Sequence, residues 1–301
     1  MNSIEFPNND ISMAGHLYFP ESFDRNSAYP AIVCVHPSGG VKEQTVGLYA
    51  KELAQAGFVT LAFDASYQGE SSGEPRQLEN PYLRVGDISA AIDYLITLDY
   101  VDNDRIGAFG VCAGGGYAIN ATMADRRIKA LGTVSAVNYG DMYRFGWDGT
   151  EEPGQCLPFL DLAAQAMVDE ANGGATQYLP TTPASAQAAP NADLAEAYEY
   201  YRTPRGEHSN APSRFTTRSL AQLVTFDAFN NAEIFLTQPL LAIAGSDAGT
   251  RWMSEAIAER AAGNNNYSYI VEGGTHVGMY DRPRLVFAAM GRLAPFFNEH
   301  L

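Results

Sequence analysis

The chain reads as an α/β protein with a mostly parallel central sheet, helices on both faces, and a largely helical insertion ahead of its last strands. Three observations predict this. Short apolar runs of strand length occur at residues 31–35, 58–63, 105–109, 130–136, 240–244 and 267–271. Stretches with helical apolar spacing fall between them, at 45–55, 84–98, 251–261 and 283–297. Alternation of this kind builds parallel neighbours joined by crossover helices. It stops after residue 137 and resumes at 239.

Taken in order, residues 11–20 partly alternate and fit an edge strand. The run 31–35 follows Pro30, and the loop 36–40 lies at its C-terminal end. Val46, Tyr49, Ala50 and Leu53 share one face of the helix at 45–55, which Gly57 closes. The strand 58–63 leads into a polar, glycine-rich loop at 64–75. Ile88, Ala91, Ile92 and Leu95 mark the next helix. The strand 105–109 enters a sharp turn, with a helix continuing over 117–124 and a small-residue strand at 130–136. Three segments result: a first core part at 1–137, an inserted cap at 138–238, and a second core part at 239–301. Within the insertion, 157–169 and 192–201 look helical, and 177–190 reads as a Thr/Pro/Ala/Ser linker. The insertion is rich in Tyr, Phe and Trp, so a cap lining a substrate pocket is the expectation. Packing away from the site is the alternative.

Composition narrows the function. Nineteen basic against thirty-five acidic residues give a formal charge of -16. That disfavours nucleic acid, whose phosphates need a basic face, and weakly disfavours anionic membranes. No segment has the pattern of a signal peptide or a membrane span. Three scattered cysteines, Cys34, Cys112 and Cys156, do not make a disulfide framework. A cytoplasmic setting is the expectation. The five histidines form no metal-ligand motif, and no cofactor signature occurs, so neither metal nor cofactor is expected. A homodimer is carried as an expectation without a sequence signature.

The chemistry centres on Ile106-Gly-Ala-Phe-Gly-Val-Cys-Ala-Gly-Gly-Gly-Tyr-Ala118. Gly110, Cys112 and Gly114 stand at alternate positions, as in a strand–turn–helix elbow that carries a nucleophile. Strand and helix approach closely there, so small neighbours are required. The helix N-terminus offers unpaired N–H groups to a thiolate. A nucleotide site would also use glycines, but neither dinucleotide nor P-loop spacing is present. A plain core cysteine is the other reading. Asp247 follows a later strand and His276 the last one, giving the chain order nucleophile, acid, histidine. His276 is the candidate base, and Asp247 the candidate acid that orients it, with Asp227 and Asp281 as rivals. The backbone N–H of Ala113 and that of Ser38 or Gly39 are the candidate oxyanion donors, since Pro37 has no N–H. Glu43, beside Lys42, is either a carboxylate that reaches the thiol or half of a solvated charge pair. Asp64 is expected to bind backbone amides and shape the rim, near Tyr67.

With these residues in view, the chain resembles the dienelactone-hydrolase-like branch of the α/β-hydrolases. Bacterial dienelactone-hydrolase-related proteins and fungal polyketide transferases and thiohydrolases are its kin. The resemblance is carried by the cysteine elbow and by His36-Pro-Ser-Gly-Gly-Val-Lys-Glu-Gln-Thr45. It extends through Phe63-Asp-Ala-Ser-Tyr-Gln-Gly-Glu-Ser-Ser-Gly-Glu-Pro-Arg76, Glu199-Tyr-Tyr-Arg-Thr-Pro-Arg-Gly206, Ala244-Gly-Ser-Asp-Ala-Gly-Thr-Arg251 and Gly274-Thr-His-Val-Gly-Met-Tyr-Asp281. It implies Cys112 as nucleophile, Asp247 as orienter, His276 as base, and acyl-enzyme chemistry on a small-molecule ester, lactone or thioester. Dienelactone hydrolase itself lacks so long an insertion and carries a glutamate near the oxyanion loop, a place Glu43 is a candidate to fill. The insertion adds Tyr201, Arg202 and Arg205 as pocket or support residues; an arginine there would bind an anionic group or tie the insertion down. Acyl transfer to an acceptor other than water, and a non-catalytic ligand-binding role, are the alternatives.

Overall fold

The computed structural model describes all 301 residues. In chain order, β1 (Asn2–Asn8) and β2 (Ile11–Tyr18) precede β3 (Tyr29–Val35), α1 (Thr45–Gln55), β4 (Val59–Phe63), α2 (Pro81–Leu95), β5 (Val101–Val111), α3 (Ala113–Ala124) and β6 (Ile128–Val134). Next come α4 (Tyr139–Phe145), α5 (Leu157–Ala171), β7 (Tyr178–Pro180), α6 (Ala192–Arg202), β8 (Arg214–Thr216), α7 (Leu220–Thr225) and α8 (Ala232–Phe235). The chain ends with β9 (Leu240–Gly245), α9 (Arg251–Arg260), β10 (Asn266–Val271), α10 (Gly278–Asp281) and α11 (Pro283–His300).

Eight strands form one sheet in the order β1-β2-β4-β3-β5-β6-β9-β10. The β1–β2 and β2–β4 pairs are antiparallel, and every other pair is parallel. The five residues of β4 and the last five of β3 are all buried. Near-continuous apolar runs like these, broken only by Thr60, belong to strands covered on both faces. One face packs on α2, α3 and α9 through residues such as Ile88, Ile119 and Ile257. The other packs on α1 and α11 through Tyr49, Leu53, Leu293 and Phe297. Asn80 caps α2 by accepting from the N–H groups of Tyr82 and Leu83, with Pro81 at the first helical position. That cap starts α2 three residues ahead of the expected start at 84.

The chain leaves the sheet at β6 and returns beside it at β9, in parallel register from Leu131/Leu240 to Val134/Ile243. The intervening segment is mostly helical, with its own small core of Ala163, Phe215, Leu220 and Leu223. Part of the expected linker at 177–190 instead forms β7, paired with β8. No helix is long and apolar enough to cross a membrane.

Candidate active site

Cys112 is the residue between β5 and α3. Its backbone sits at φ 55° and ψ -126°, a left-handed conformation that a side chain strains. The surroundings hold it there. Its N–H donates to Val134 O at 3.0 Å, and its carbonyl accepts from Gly115 at 2.9 Å and Val137 at 2.9 Å. A Cβ at Gly110 would lie 2.3 Å from Gly114 O, and one at Gly114 would lie 2.3 Å from Val35 O. No other residue type fits this close approach, so the glycines permit the elbow. With its backbone satisfied, Cys112 presents its side chain to a cavity, and its partial exposure is toward that space. Burial pushes the thiol up to about 11, although the Tyr280 hydroxyl and the Ala113 N–H favour the thiolate. Desolvation outweighs the pull of the helix N-terminus at this position.

His276 follows β10 and lines the same cavity. Its Nδ1 lies 2.6 Å from Thr250 Oγ1, and its Nε2 lies 3.0 Å from the Tyr280 hydroxyl. The Trp147 ring covers it edge-on, with centroids 4.9 Å apart. Its backbone N–H donates to Asp193 Oδ1 at 3.1 Å. Burial lowers its pKa from 6.5 to about 4, against the opposing pull of Asp193 and Glu196. The thiol and the imidazole are thus both neutral near pH 7. A base that stays neutral above its lowered pKa stays competent there. The acidic limb of kcat/KM on any turned-over ester should therefore fall near pH 4. A limb at the ordinary histidine value would contradict this environment.

Asp247 does not hold the imidazole. Its side chain is exposed and accepts from Ser246 Oγ at 2.7 Å, while its N–H donates to Gly274 O at 2.8 Å. The turn after β9 thereby faces Asp247 outward, and Thr250, three residues on, takes the inner position. Neither rival acid takes Asp247's place. Asp227 accepts from Asn138 Nδ2 at 2.8 Å. Asp281 is held by Arg205 in a bidentate pair at 2.6 and 2.8 Å. Arg205 also pairs with Glu196, so it ties the insertion to α10.

β3 and β5 are neighbours, with Val35 opposite Gly110. That register brings the loop after β3 to the elbow. Ser38 lines the cavity. The N–H of Gly40 is used by Pro37 O, whereas those of Ser38 and Gly39 have no acceptor within the protein. His36 shapes this loop rather than the chemistry. Its Nε2 accepts from the Ala65 N–H at 3.1 Å, which leaves Nδ1 to donate to Pro37 O at 2.6 Å. Gly39, at φ 68°, lies against Thr181 of the insertion.

The remaining candidates fall in different places. Tyr201 lines the cavity. Glu43 does not reach the thiol; it binds Lys42 Nζ at 2.7 Å. Lys42 is not a solvated lysine, because its ammonium is buried among Glu43, Asp64 and Glu70. Asp64 accepts from the N–H groups of Lys42 at 2.8 Å and Glu70 at 2.9 Å, tying the two loops together. Tyr67 stacks over Gly73 within the same loop, outside the cavity. Arg202 reaches Pro212 O at 3.5 Å on the outer side of the insertion.

Sequence reasoning missed a buried polar pair beneath the site. Arg84 Nη2 donates to His36 O at 2.5 Å and pairs with Glu79 at 3.4 Å. Glu79 also accepts from the Tyr117 hydroxyl at 2.8 Å and from Gln68 at 2.8 Å. Thr250, Tyr280 and Asp193 were missed as well. His276 lies two residues ahead of α10 and Tyr280 within it, so no helical period joins the two in the sequence.

The cavity measures about 340 Å³ and is lined by nineteen residues, none of them Asp, Glu, Lys or Arg. Most of its wall comes from the insertion, including Tyr139, Tyr143, Trp147, Phe159 and Phe215. Cys112, Ser38, His276 and Tyr280 are the polar floor. The arrangement can bind an uncharged group against aromatic walls and present its polar atom to a thiol, an imidazole and free N–H groups.

Residues 13–141 match the Dienelactone hydrolase family. The uncharacterized protein YcjY of Escherichia coli K12 is 51% identical over 100% of this chain and 99% of its own length. The uncharacterized protein PA2218 of Pseudomonas aeruginosa is 36% identical over 97% of this chain and 78% of its own. The PA2218 crystal structure superposes with a TM-score of 0.90 and 34% identity, covering 100% of this chain and 93% of that one. The thiohydrolase aneE of Aspergillus aculeatus is 31% identical over 46% of this chain and 41% of its own.

Proposed function

The chain belongs to the dienelactone-hydrolase-like family of the α/β-hydrolases, together with YcjY and PA2218, and from that premise we propose that it cleaves esters, lactones or thioesters of uncharged acyl groups through an acyl-Cys112 intermediate. The observation that carries this reading is Cys112 on a left-handed elbow at the floor of an uncharged cavity that His276 shares.

With both groups neutral at rest, attack and proton loss are coupled. The sulfur adds to the carbonyl carbon as His276 takes up the thiol proton. The oxyanion forms toward the free N–H groups of Ser38 and Ala113, where donors act on developing charge. The leaving group departs with the proton from His276. Water then adds to the acyl-cysteine, gives its proton to His276, and the acid leaves as the sulfur is reprotonated.

Leaving-group chemistry narrows the substrate. A thiolate leaves more readily than an alkoxide, so an intermediate formed from an unactivated ester reverts. Thioesters and activated lactones or aryl esters proceed. The thiohydrolase relative supports the thioester member of this set. The cavity's size, at the lower end of ligand pockets, fits a small aromatic or short aliphatic acyl group.

The test is a panel of acyl thioesters and p-nitrophenyl esters, each prepared with a neutral and a carboxylate-ended acyl chain of equal length. An unpaired carboxylate placed in an uncharged cavity costs roughly 1.4 kcal/mol or more, so kcat/KM should favour the neutral member by at least about tenfold. Equal or faster turnover of the carboxylate members would contradict the uncharged-acyl assignment.

A further inference from the structure

We propose that Asp193 is a positioning residue supplied by the insertion: it holds the Thr250 and His276 loops together, so that the Thr250 hydroxyl keeps a proton on His276 Nδ1 and leaves Nε2 to take the thiol proton. This rests on the reading of Cys112 as nucleophile and His276 as base. One carboxylate reaches three segments. Its Oδ1 accepts from the His276 N–H at 3.1 Å. Its Oδ2 accepts from the Gly249 N–H at 2.7 Å and from the Trp147 indole N–H at 2.8 Å. Asp193 is 6% exposed, so these bonds stand away from water, where a charged acceptor binds N–H donors strongly.

The three donors belong to one arrangement. Gly249 directly precedes Thr250, whose Oγ1 lies 2.6 Å from His276 Nδ1. Trp147 covers the imidazole edge-on. Asp193 therefore fixes the histidine through its backbone, the Nδ1 partner through the residue before it, and the ring that shields the imidazole. The helix that carries Asp193 is itself anchored. Asn191 caps α6 by accepting from the Leu194 N–H at 2.9 Å. Glu196, one turn beyond Asp193, accepts from Thr275 Oγ1 and pairs with Arg205 at 2.9 Å. A carboxylate in the first turn of a helix is also favoured by the helix end.

An orienting acid would accept from Nδ1–H directly. Here the acceptor is a neutral hydroxyl, and the carboxylate stands one residue behind it. With the Nδ1–H tautomer held by Thr250, Nε2 is free to accept. As Nε2 takes the thiol proton the ring becomes an imidazolium, its Nδ1–H stays on Thr250, and the leaving group later takes the Nε2 proton. The negative charge of Asp193 opposes the lowering of His276 by burial and so favours that transient cation. The insertion thus completes the base as well as walling the cavity.

The experiment measures single-turnover acylation by a benzoyl thioester in wild type, T250S, T250V, D193N, the double variant D193N/T250V, C112A and H276A. T250V and D193N should each acylate about tenfold to a hundredfold more slowly at saturation, the range of a hydrogen bond involving a charged group, with half-saturation changed by less than about threefold. T250S keeps the hydroxyl and should stay within about threefold of wild type. The double variant should be no more than about threefold slower than the slower single variant, because both substitutions act on one hydrogen bond. Losses that multiply in the double variant, T250S as slow as T250V, either single variant within about threefold of wild type, or a loss seen only in half-saturation would overturn the proposal. C112A and H276A failing to acylate would in each of these cases leave the Cys–His reading standing. Acylation by C112A at the wild-type rate would overturn that reading itself. Should D193N fail to fold, D193E moves the carboxylate by one methylene and is held to the same outcomes.

Discussion

Cys112→Ala should lower kcat/KM by about four orders of magnitude or more and abolish every covalent adduct, because the groups of such a site act as a unit. What remains would be binding in the aromatic cavity and polarisation by the Ser38 and Ala113 N–H groups. Folding should be almost untouched, since the elbow is maintained by backbone bonds of residue 112 and by Gly110 and Gly114. The informative partner is Asp247→Asn. Chain order alone makes Asp247 the acid, and a true orienting acid would cost several powers of ten. Here its carboxylate is exposed and bonded to Ser246, so Asp247→Asn should stay within about threefold of wild type in steady-state kinetics. Losses of comparable size in both variants would place Asp247 back on the imidazole.

Arg84→Leu is expected to have the largest effect on stability. Arg84 is 2% exposed and Glu79 0%. Removing one partner of a buried pair leaves an uncompensated charge, which costs roughly 3–5 kcal/mol. The His36 carbonyl loses its donor at the same time. That carbonyl begins the loop carrying Ser38, so the variant should also lose activity under conditions where it is still folded. Urea unfolding reads the first effect as a lowered midpoint at unchanged slope. The double variant Arg84→Leu, Glu79→Leu should recover much of the loss, because no buried charge then remains. A single variant within about 1 kcal/mol of wild type would show that the pair is solvated or dispensable.

The parts of the molecule legible in the sequence are those set by local sterics and burial. The buried runs of β3, β4 and β9 are apolar apart from Thr60, whose hydroxyl donates to Ala50 O, so their place in the sheet follows from composition. The elbow is legible for the same reason: Gly110 and Gly114 are required by backbone atoms within van der Waals contact. β1 was not legible, because Phe6 is its one buried residue and no alternation shows. The aromatic richness of the insertion predicted a lining role, and Trp147, Tyr201 and Phe215 do face the cavity. Asp247 turns outward in the structure, which chain order does not reveal, since it identifies a loop and not the side chain that turns inward. The choice between Asp247 and Thr250 depends on the bond from Asp247 N–H to Gly274 O, a contact between two separate loops. Arg84 and Glu79 left no trace, since a charged pair at a helix start looks the same whether solvated or buried. Tyr280 sits in a helix of four residues, too short for a periodic signal.

Cys112 is proposed to form an acyl-enzyme with an uncharged acyl group. Intact-mass spectrometry of the protein quenched early after mixing with a benzoyl thioester tests it most directly, followed by peptide mapping. A transient mass increase of one benzoyl group is expected, located on the peptide containing Cys112 and absent from Cys112→Ala. No adduct during turnover, or an adduct on Cys34 or Cys156 with turnover preserved in Cys112→Ala, would contradict it.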